Sequence, residues 1–186
     1  MFLLVGLGNP GSEYAFTRHN MGFWAVDEIV RRFPFNDWKK SGKGLIAVGE
    51  IDGHKVIALK PQTYMNLSGE AVLAAVSFYK LKPENVIVFH DELALPVGKV
   101  KVKVGGGAAG HNGLKNIDAH IGSNYMRVRI GVDQDKSIDA ADYVLARPSK
   151  EEQDHLALVV DKIAQNVALL LNGKEQNFMN LLVEEK

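Results

Sequence analysis

The sequence predicts an α/β fold: a single domain over residues 1–186, with a twisted mixed β-sheet covered by helices on both faces. Three observations carry that expectation. Phe2-Leu-Leu-Val5 and Val86-Ile-Val-Phe89 are short, unbroken apolar runs, the composition of strands buried on both faces. Stretches of helical periodicity alternate with them along the chain, which is how such sheets are connected. A hairpin signal at Asp52-Gly53 adds an antiparallel pair, so the sheet is mixed.

Taken in order, the first strand runs into Gly6-Leu7-Gly8-Asn9-Pro10-Gly11, which matches G-x-G-x-x-G letter for letter. A dinucleotide loop must open directly into a helix whose N-terminus meets the pyrophosphate. Here Pro10-Gly11-Ser12 prolongs the turn. No second strand ending in an acidic residue follows, because Asp27 and Glu28 lie in a helix, Met21 to Phe33, closed by Pro34. The dinucleotide reading is rejected on both grounds. Leu45 to Ile51 and Lys55 to Leu59 flank Asp52-Gly53 as hairpin strands, with a type I′ turn and a spare residue on the return side. Val72, Leu73, Val76 and Tyr79 place a helix over Leu67 to Tyr79, stopped by Pro83.

The second buried strand, Val86 to Phe89, delivers His90-Asp91-Glu92 at its carboxyl end, where open α/β sheets build their sites. Lys99 to Val104 alternates lysine and valine, and Arg127 to Ile130 repeats the device. Between them Gly105 to Gly113 reads as a flexible loop opening a helix over Leu114 to Ile121. Ser149-Lys-Glu-Glu152 is a capping box for a helix to about Leu171, with Gly173 as its left-handed stop. A last amphipathic segment spans Glu175 to Val183.

Composition excludes several classes. With no cysteine, disulfides, thiolate catalysis and zinc-thiolate centres are ruled out. A net charge of zero argues against indiscriminate polyanion binding and leaves only a local basic patch. Phe2 to Val5 is too short for a signal sequence. The apolar stretch Leu156 to Leu171 is interrupted by Asp161, Lys162, Gln165 and Asn166, short of the roughly 18 residues a membrane span requires. The expectation is a cytoplasmic, monomeric protein with no membrane segment, no metal and no cofactor.

Polar clusters fall where strands end or helices begin: Asn9, His19-Asn20, Met65-Asn66, His90-Asp91 and His111-Asn112. Each has a structural reading, Asn9 as a turn residue, Asn66 and Asn112 as helix N-caps, and Asp91 as a local cap or pair. His54, His120 and His155 sit in polar, solvated surroundings. Together the clusters suggest chemistry. A histidine fixed by a carboxylate is the minimum machinery for activating water, and His19 with Asp91 could supply it. Carboxamides suit the rest of such a site, since they both donate and accept without adding charge. A serine nucleophile competes poorly, because G-x-S-x-G is absent and Ser68 lacks that context. Metal hydrolysis by His19, His90, Asp91 and His111 lacks any H-E-x-x-H spacing. Lys101, Lys103, Arg127 and Arg129 could line phosphates on one face; equally, strand lysines keep a sheet edge solvated.

Val5-Gly-Leu-Gly-Asn9-Pro-Gly11, Thr17-Arg-His19-Asn-Met-Gly22, Pro61-Gln-Thr-Tyr-Met65-Asn66-Leu-Ser-Gly69, His90-Asp91-Glu-Leu and Gly105 to Leu114 resemble, in order, the motifs of bacterial peptidyl-tRNA hydrolase, and Arg127-Val-Arg129-Ile-Gly131 extends the match. The resemblance covers nearly the whole chain. It implies hydrolysis of the ester joining a peptide to the 3′ ribose of tRNA, without metal or cofactor. It makes His19 the base, Asp91 its orienter, and Asn9, Asn66 and Asn112 the groups that position peptide and water, with Asn9 counted in the catalytic set. Met65 and Tyr14 join them against the substrate, and Lys103 and Arg129 form a clamp for the tRNA 5′ phosphate. The sequence departs at Gly107-Ala-Ala-Gly110, where many relatives carry a polar residue or histidine. It departs again at Val132-Asp-Gln-Asp135, which brings acidic charge near the tRNA face. A non-catalytic RNA-binding scaffold, like the plant splicing cofactors of similar fold, is the alternative; retained His19 and Asp91 favour the enzyme.

Overall fold

The apolar runs lie at the centre of a seven-stranded sheet in a computed structural model that describes residues 1–183. The strands are β1 (Phe2–Gly6), β2 (Lys39–Ser41), β3 (Gly44–Ile51), β4 (His54–Pro61), β5 (Val86–Glu92), β6 (Val100–Val104) and β7 (Met126–Gly131). The helices are α1 (Met21–Arg32), α2 (Ser68–Phe78), α3 (Asn112–Ile121), α4 (Ala140–Val144), α5 (Lys150–Leu171) and α6 (Glu175–Leu181). Strand order is β2-β3-β4-β1-β5-β7-β6. The centre is parallel, β1 with β4 and β5, and β5 with β7. Both ends are antiparallel.

Alternate residues of the central strands face two separate cores, as the period of two requires. Leu3, Val5 and Val88 pack with Val72 and Ala75 of α2 and Leu114 and Ile117 of α3. Leu4, Ile87, Phe89 and Val128 pack with Met21 and Ile29 of α1, Val159 and Ile163 of α5, and Phe178 of α6. Burying each such side chain contributes about 1.5–3 kcal/mol, so both faces of the sheet are held by the same strands. Among the described residues no helix is long and apolar enough to cross a membrane.

Several expectations are corrected. The hairpin has no spare residue: His54 pairs with Ile51. Asp52 (φ 50°) and Gly53 (φ 78°) alone make the turn, a pair of left-handed residues that matches the twist of the strands. β5 does not stop at Phe89, because β7 runs beside it and keeps its ladder paired through Glu92. β2 went unread since Lys39-Lys40-Ser41 is exposed throughout and carries no alternation. The valine face of β6 is only partly covered, and Val104 is 58% exposed. α3 is capped by His111, not Asn112; the His111 side chain accepts from the N–H groups of Gly113 and Leu114. His54, His120 and His155 are half-buried rather than solvated. His54 meets the Asn172 side chain at 2.9 Å, His120 donates to the Asn116 carbonyl at 2.7 Å, and His155 packs over Gly98.

Candidate active site

The site lies at the carboxyl tips of β1 and β5. Gly22 makes this possible: a Cβ there would stand 2.3 Å from both the Leu7 nitrogen and the Phe89 oxygen. Only glycine lets the start of α1 approach these two strands so closely. A short 3₁₀ turn, Arg18–Asn20, carries His19 over the end of β5.

Both neighbours of His19 are tied down. Arg18 donates its backbone N–H to Ala146 at 3.1 Å and its guanidinium to the Tyr143 carbonyl at 3.0 Å, and it stacks 3.9 Å over the Tyr143 ring. Asn20 brackets the Asn9 backbone, accepting from its N–H at 2.8 Å and donating to its carbonyl at 3.0 Å. The Asn9 side-chain oxygen in turn accepts from the Met65 N–H at 2.8 Å. The strand-to-helix loop, the turn before α2 and α4 are thereby fixed relative to one imidazole.

That imidazole faces Asp91. His19 Nδ1 is 2.7 Å from Asp91 Oδ2, and His111 Nε2 is 2.8 Å from Asp91 Oδ1. An ionised carboxylate only accepts, so each imidazole donates to it. His111 accepts at Nδ1 from two backbone N–H groups, which fixes its Nε2–H tautomer from both sides. Burial opposes charge on His19, but the charge and hydrogen bond of Asp91 outweigh it and raise the imidazole's pKa above the usual 6.5. Burial likewise pushes Asp91 up, yet the two imidazoles hold its carboxyl well below the usual range. Neighbouring His90 is fully buried; burial and then His111 push it down to about 4. Its Nδ1 donates to the Asp91 carbonyl at 2.8 Å.

His19, Asp91 and His111 offer ligand atoms within 4.8 Å of one another. The donor set does not fit a metal ion. His111 spends Nδ1 on the cap of α3, so Nε2 carries a proton and no lone pair.

The other expected substrate residues converge on the same imidazole. Asn9, Tyr14, His19, Met65, Asn66 and Asn112 line one cleft of about 290 Å³, walled by Val144 of α4. His19, Asn112 and Val144 also line an adjoining cleft of about 280 Å³ that reaches Asp91, Glu92 and His111. The phosphate candidates lie further along. Lys103 and Arg129 line a cavity of about 60 Å³ with His90, Glu92 and Arg127. Lys103 stands opposite Arg127 and Lys101 opposite Arg129 in the ladder. Such like-charge pairs repel, and Asp118 and Glu92 offset them by pairing with Arg127 and Arg129. Arg127, read as able either to line phosphates or to keep the sheet edge solvated, is instead tied up inside the fold. It is 2% exposed and donates to the carbonyls of Gly106 and Gly107, at 3.0 and 2.7 Å, and to Asp118.

Sequence reasoning did not find the parts played by His111 and Asn20. His111 stood out as part of a polar cluster and as a possible metal ligand; its place just before a helix was the signal for a cap. Asn20, adjacent to His19, gave no signal of its 11-residue reach back to Asn9.

Residues 3–186 match the family model described as peptidyl-tRNA hydrolase. The chain is similar to the peptidyl-tRNA hydrolase of Rhizobium meliloti (strain 1021), 48% identical over 181 residues that cover 97% of this chain and 76% of the relative. It is also similar to that of Nitrobacter winogradskyi, 51% identical over 182 residues, 97% of this chain and 90% of the relative. Among solved structures, the peptidyl-tRNA hydrolase of Acinetobacter baumannii superposes with a TM-score of 0.93 at 40% identity, covering 100% of this chain and 96% of that one.

Proposed function

The chain belongs to the peptidyl-tRNA hydrolase family and hydrolyses peptidyl-tRNA, and from that premise we propose that His19 is the base that activates the attacking water, oriented by Asp91. The observation that supports this reading is the pair of hydrogen bonds on one carboxylate, from His19 Nδ1 and His111 Nε2. With its proton on Nδ1, neutral His19 keeps a lone pair on Nε2 for water. Nε2 takes a proton as the water oxygen attacks the ester carbonyl, and Asp91 stabilises the imidazolium that results. The tetrahedral intermediate then collapses. The bond to the 3′ oxygen breaks, and Nε2–H returns its proton to that leaving oxygen, giving free tRNA and a peptide acid.

The carboxamides of Asn9, Asn66 and Asn112 hold the peptide carbonyl and the water. Asn9 commits its oxygen to the Met65 N–H, so its amino group is what remains for a developing oxyanion. Tyr14 and Met65 flank the peptide in the same cleft. Lys103 and Arg129 clamp a phosphate at the 5′ end of the tRNA, and no metal takes part in the reaction. An ester is reactive enough that water, one general base and amide donors suffice, without a covalent nucleophile.

The test is His19→Ala with N-acetyl-aminoacyl-tRNA, in the presence of a chelator. The wild-type protein releases the blocked aminoacyl group undiminished by chelator, and the variant binds tRNA without turnover. Undiminished turnover in the variant would remove His19 from the mechanism, and loss of wild-type activity with chelator would make it metal-dependent.

A further inference from the structure

We propose that Glu92 is the positioning residue of the phosphate clamp, presetting the guanidinium of Arg129 for an incoming phosphate; this rests on the clamp reading given above. Asp91 and Glu92 are consecutive on β5, so their side chains leave opposite faces of the strand. Asp91 serves the imidazoles, whereas Glu92 borders both the cleft of His19 and the small cavity lined by Lys103 and Arg129, where its carboxylate meets Arg129.

Both oxygens of Glu92 are engaged. Oε1 accepts from Arg129 Nε at 2.9 Å, and Oε2 accepts from the Ala94 N–H at 3.3 Å. A carboxylate held by a backbone N–H on a paired strand end gives the Nε of Arg129 a fixed anchor and narrows the positions its guanidinium can take. Among the described residues the bond to Glu92 engages only Nε of Arg129, which leaves both terminal amino groups for a forked contact with phosphate oxygens. Arg129 is about a quarter exposed. Without Glu92 it would be a long flexible cation opposite Lys101, whose like charge repels it. The catalytic carboxylate and the carboxylate that aims the clamp are thus adjacent residues of one strand, and the distance from ester to 5′ phosphate is measured along a rigid backbone.

The experiment compares kcat/KM for N-acetyl-aminoacyl-tRNA bearing a 5′ phosphate with that for the same tRNA bearing a 5′ hydroxyl. The ratio of the two cancels general damage to the site. Glu92→Ala is expected to lower the ratio about fivefold, as loss of one oriented charged hydrogen bond implies. Glu92→Gln, which keeps an acceptor for Nε, is expected to restore it to within about twofold. Arg129→Ala run in parallel separates the two ideas. If Arg129→Ala lowers the ratio and Glu92→Ala does not, Glu92 has no positioning role and the clamp stands. If Arg129→Ala leaves the ratio unchanged, the clamp itself is misplaced and the role of Glu92 falls with it.

Discussion

His111 Nε2 donates to Asp91 Oδ1 at 2.8 Å, so the carboxylate that orients the base is itself held by a residue that caps a helix. One oxygen of Asp91 goes to His19 and the other to His111. A buried carboxylate with both oxygens satisfied tolerates burial that would otherwise neutralise it. The tautomer of each imidazole follows from local structure, that of His111 from the start of α3 and that of His19 from the carboxylate.

Asp91→Asn tests the direction of coupling. His19 owes its raised pKa to Asp91 against the opposing effect of burial, so removing the charge lets burial dominate. The acid limb of kcat/KM, set by protonation of His19, should therefore move to lower pH in the variant than in the wild type. The maximum rate should drop by roughly 10²–10⁴-fold, since the amide no longer fixes the productive tautomer. Stability follows the same signs. The depressed Asp91 contributes above its ordinary value of 3.8 and loses that contribution as pH falls through its folded value. The raised His19 contributes fully below 6.5 and loses its share as pH rises through its folded value. Denaturant titrations across pH should therefore show the two proteins differing most between those limits. A pH-independent difference would rule out this linkage.

His111→Asn should shift the same limb the other way. Asparagine caps a helix, so α3 keeps its start, but its side chain is shorter than imidazole and leaves Asp91 Oδ1 without a donor. The negative charge then acts more fully on His19, whose pKa rises further. The expected result is an acid limb at higher pH than in the wild type and a loss of about 1–3 kcal/mol in stability from the unpaired buried oxygen. His111→Ala should cost about 1 kcal/mol more, through loss of the cap. A limb that moves with Asp91→Asn rather than against it would show that His111 does not act through the carboxylate.

What the sequence made legible was local. The buried strands, the turn at Asp52-Gly53 and the capping box at Ser149 depend on neighbours within a few residues, and each appears. The resemblance assigned roles to His19, Asp91 and the asparagines, and the fold brings Asn9, His19, Asn66 and Asn112 into one cleft. What stayed hidden needs tertiary structure. Arg127 and Arg129 are equivalent by alternation, yet carbonyls of the glycine loop take up the first, while the second pairs with Glu92 and stays about a quarter exposed. α4 is five residues long and follows an acidic, exposed stretch, so its periodicity is too short to register.

Asn20→Ala should separate positioning from chemistry near the base. The Asn20 carboxamide bonds the N–H and the carbonyl of Asn9 while itself 2% exposed. Removing it leaves two buried backbone groups unsatisfied, at about 1–3 kcal/mol each. The Asn9 side chain, which also fixes Met65, then loses its setting. Lower thermal stability together with a lowered kcat is expected; a stable variant of normal kcat would mean the loop is held by other contacts.

Arg127→Lys separates the two readings of Arg127, phosphate ligand or buried anchor. If Arg127 contacted phosphate, lysine would preserve much of its charge-driven binding. As a buried anchor, it bridges two loop carbonyls and Asp118 with a planar fork that a single ammonium cannot reproduce. The variant should lose about 2–3 kcal/mol, which for a chain of this size lowers Tm by roughly 5–10 °C. Amide exchange across Gly105 to Gly110 should quicken selectively, because Arg127 holds the carbonyls of Gly106 and Gly107. His111 follows directly after that loop, so kcat should fall even for short ester substrates that carry no 5′ phosphate. A loss confined to phosphate-bearing substrates, with stability unchanged, would return Arg127 to the binding surface.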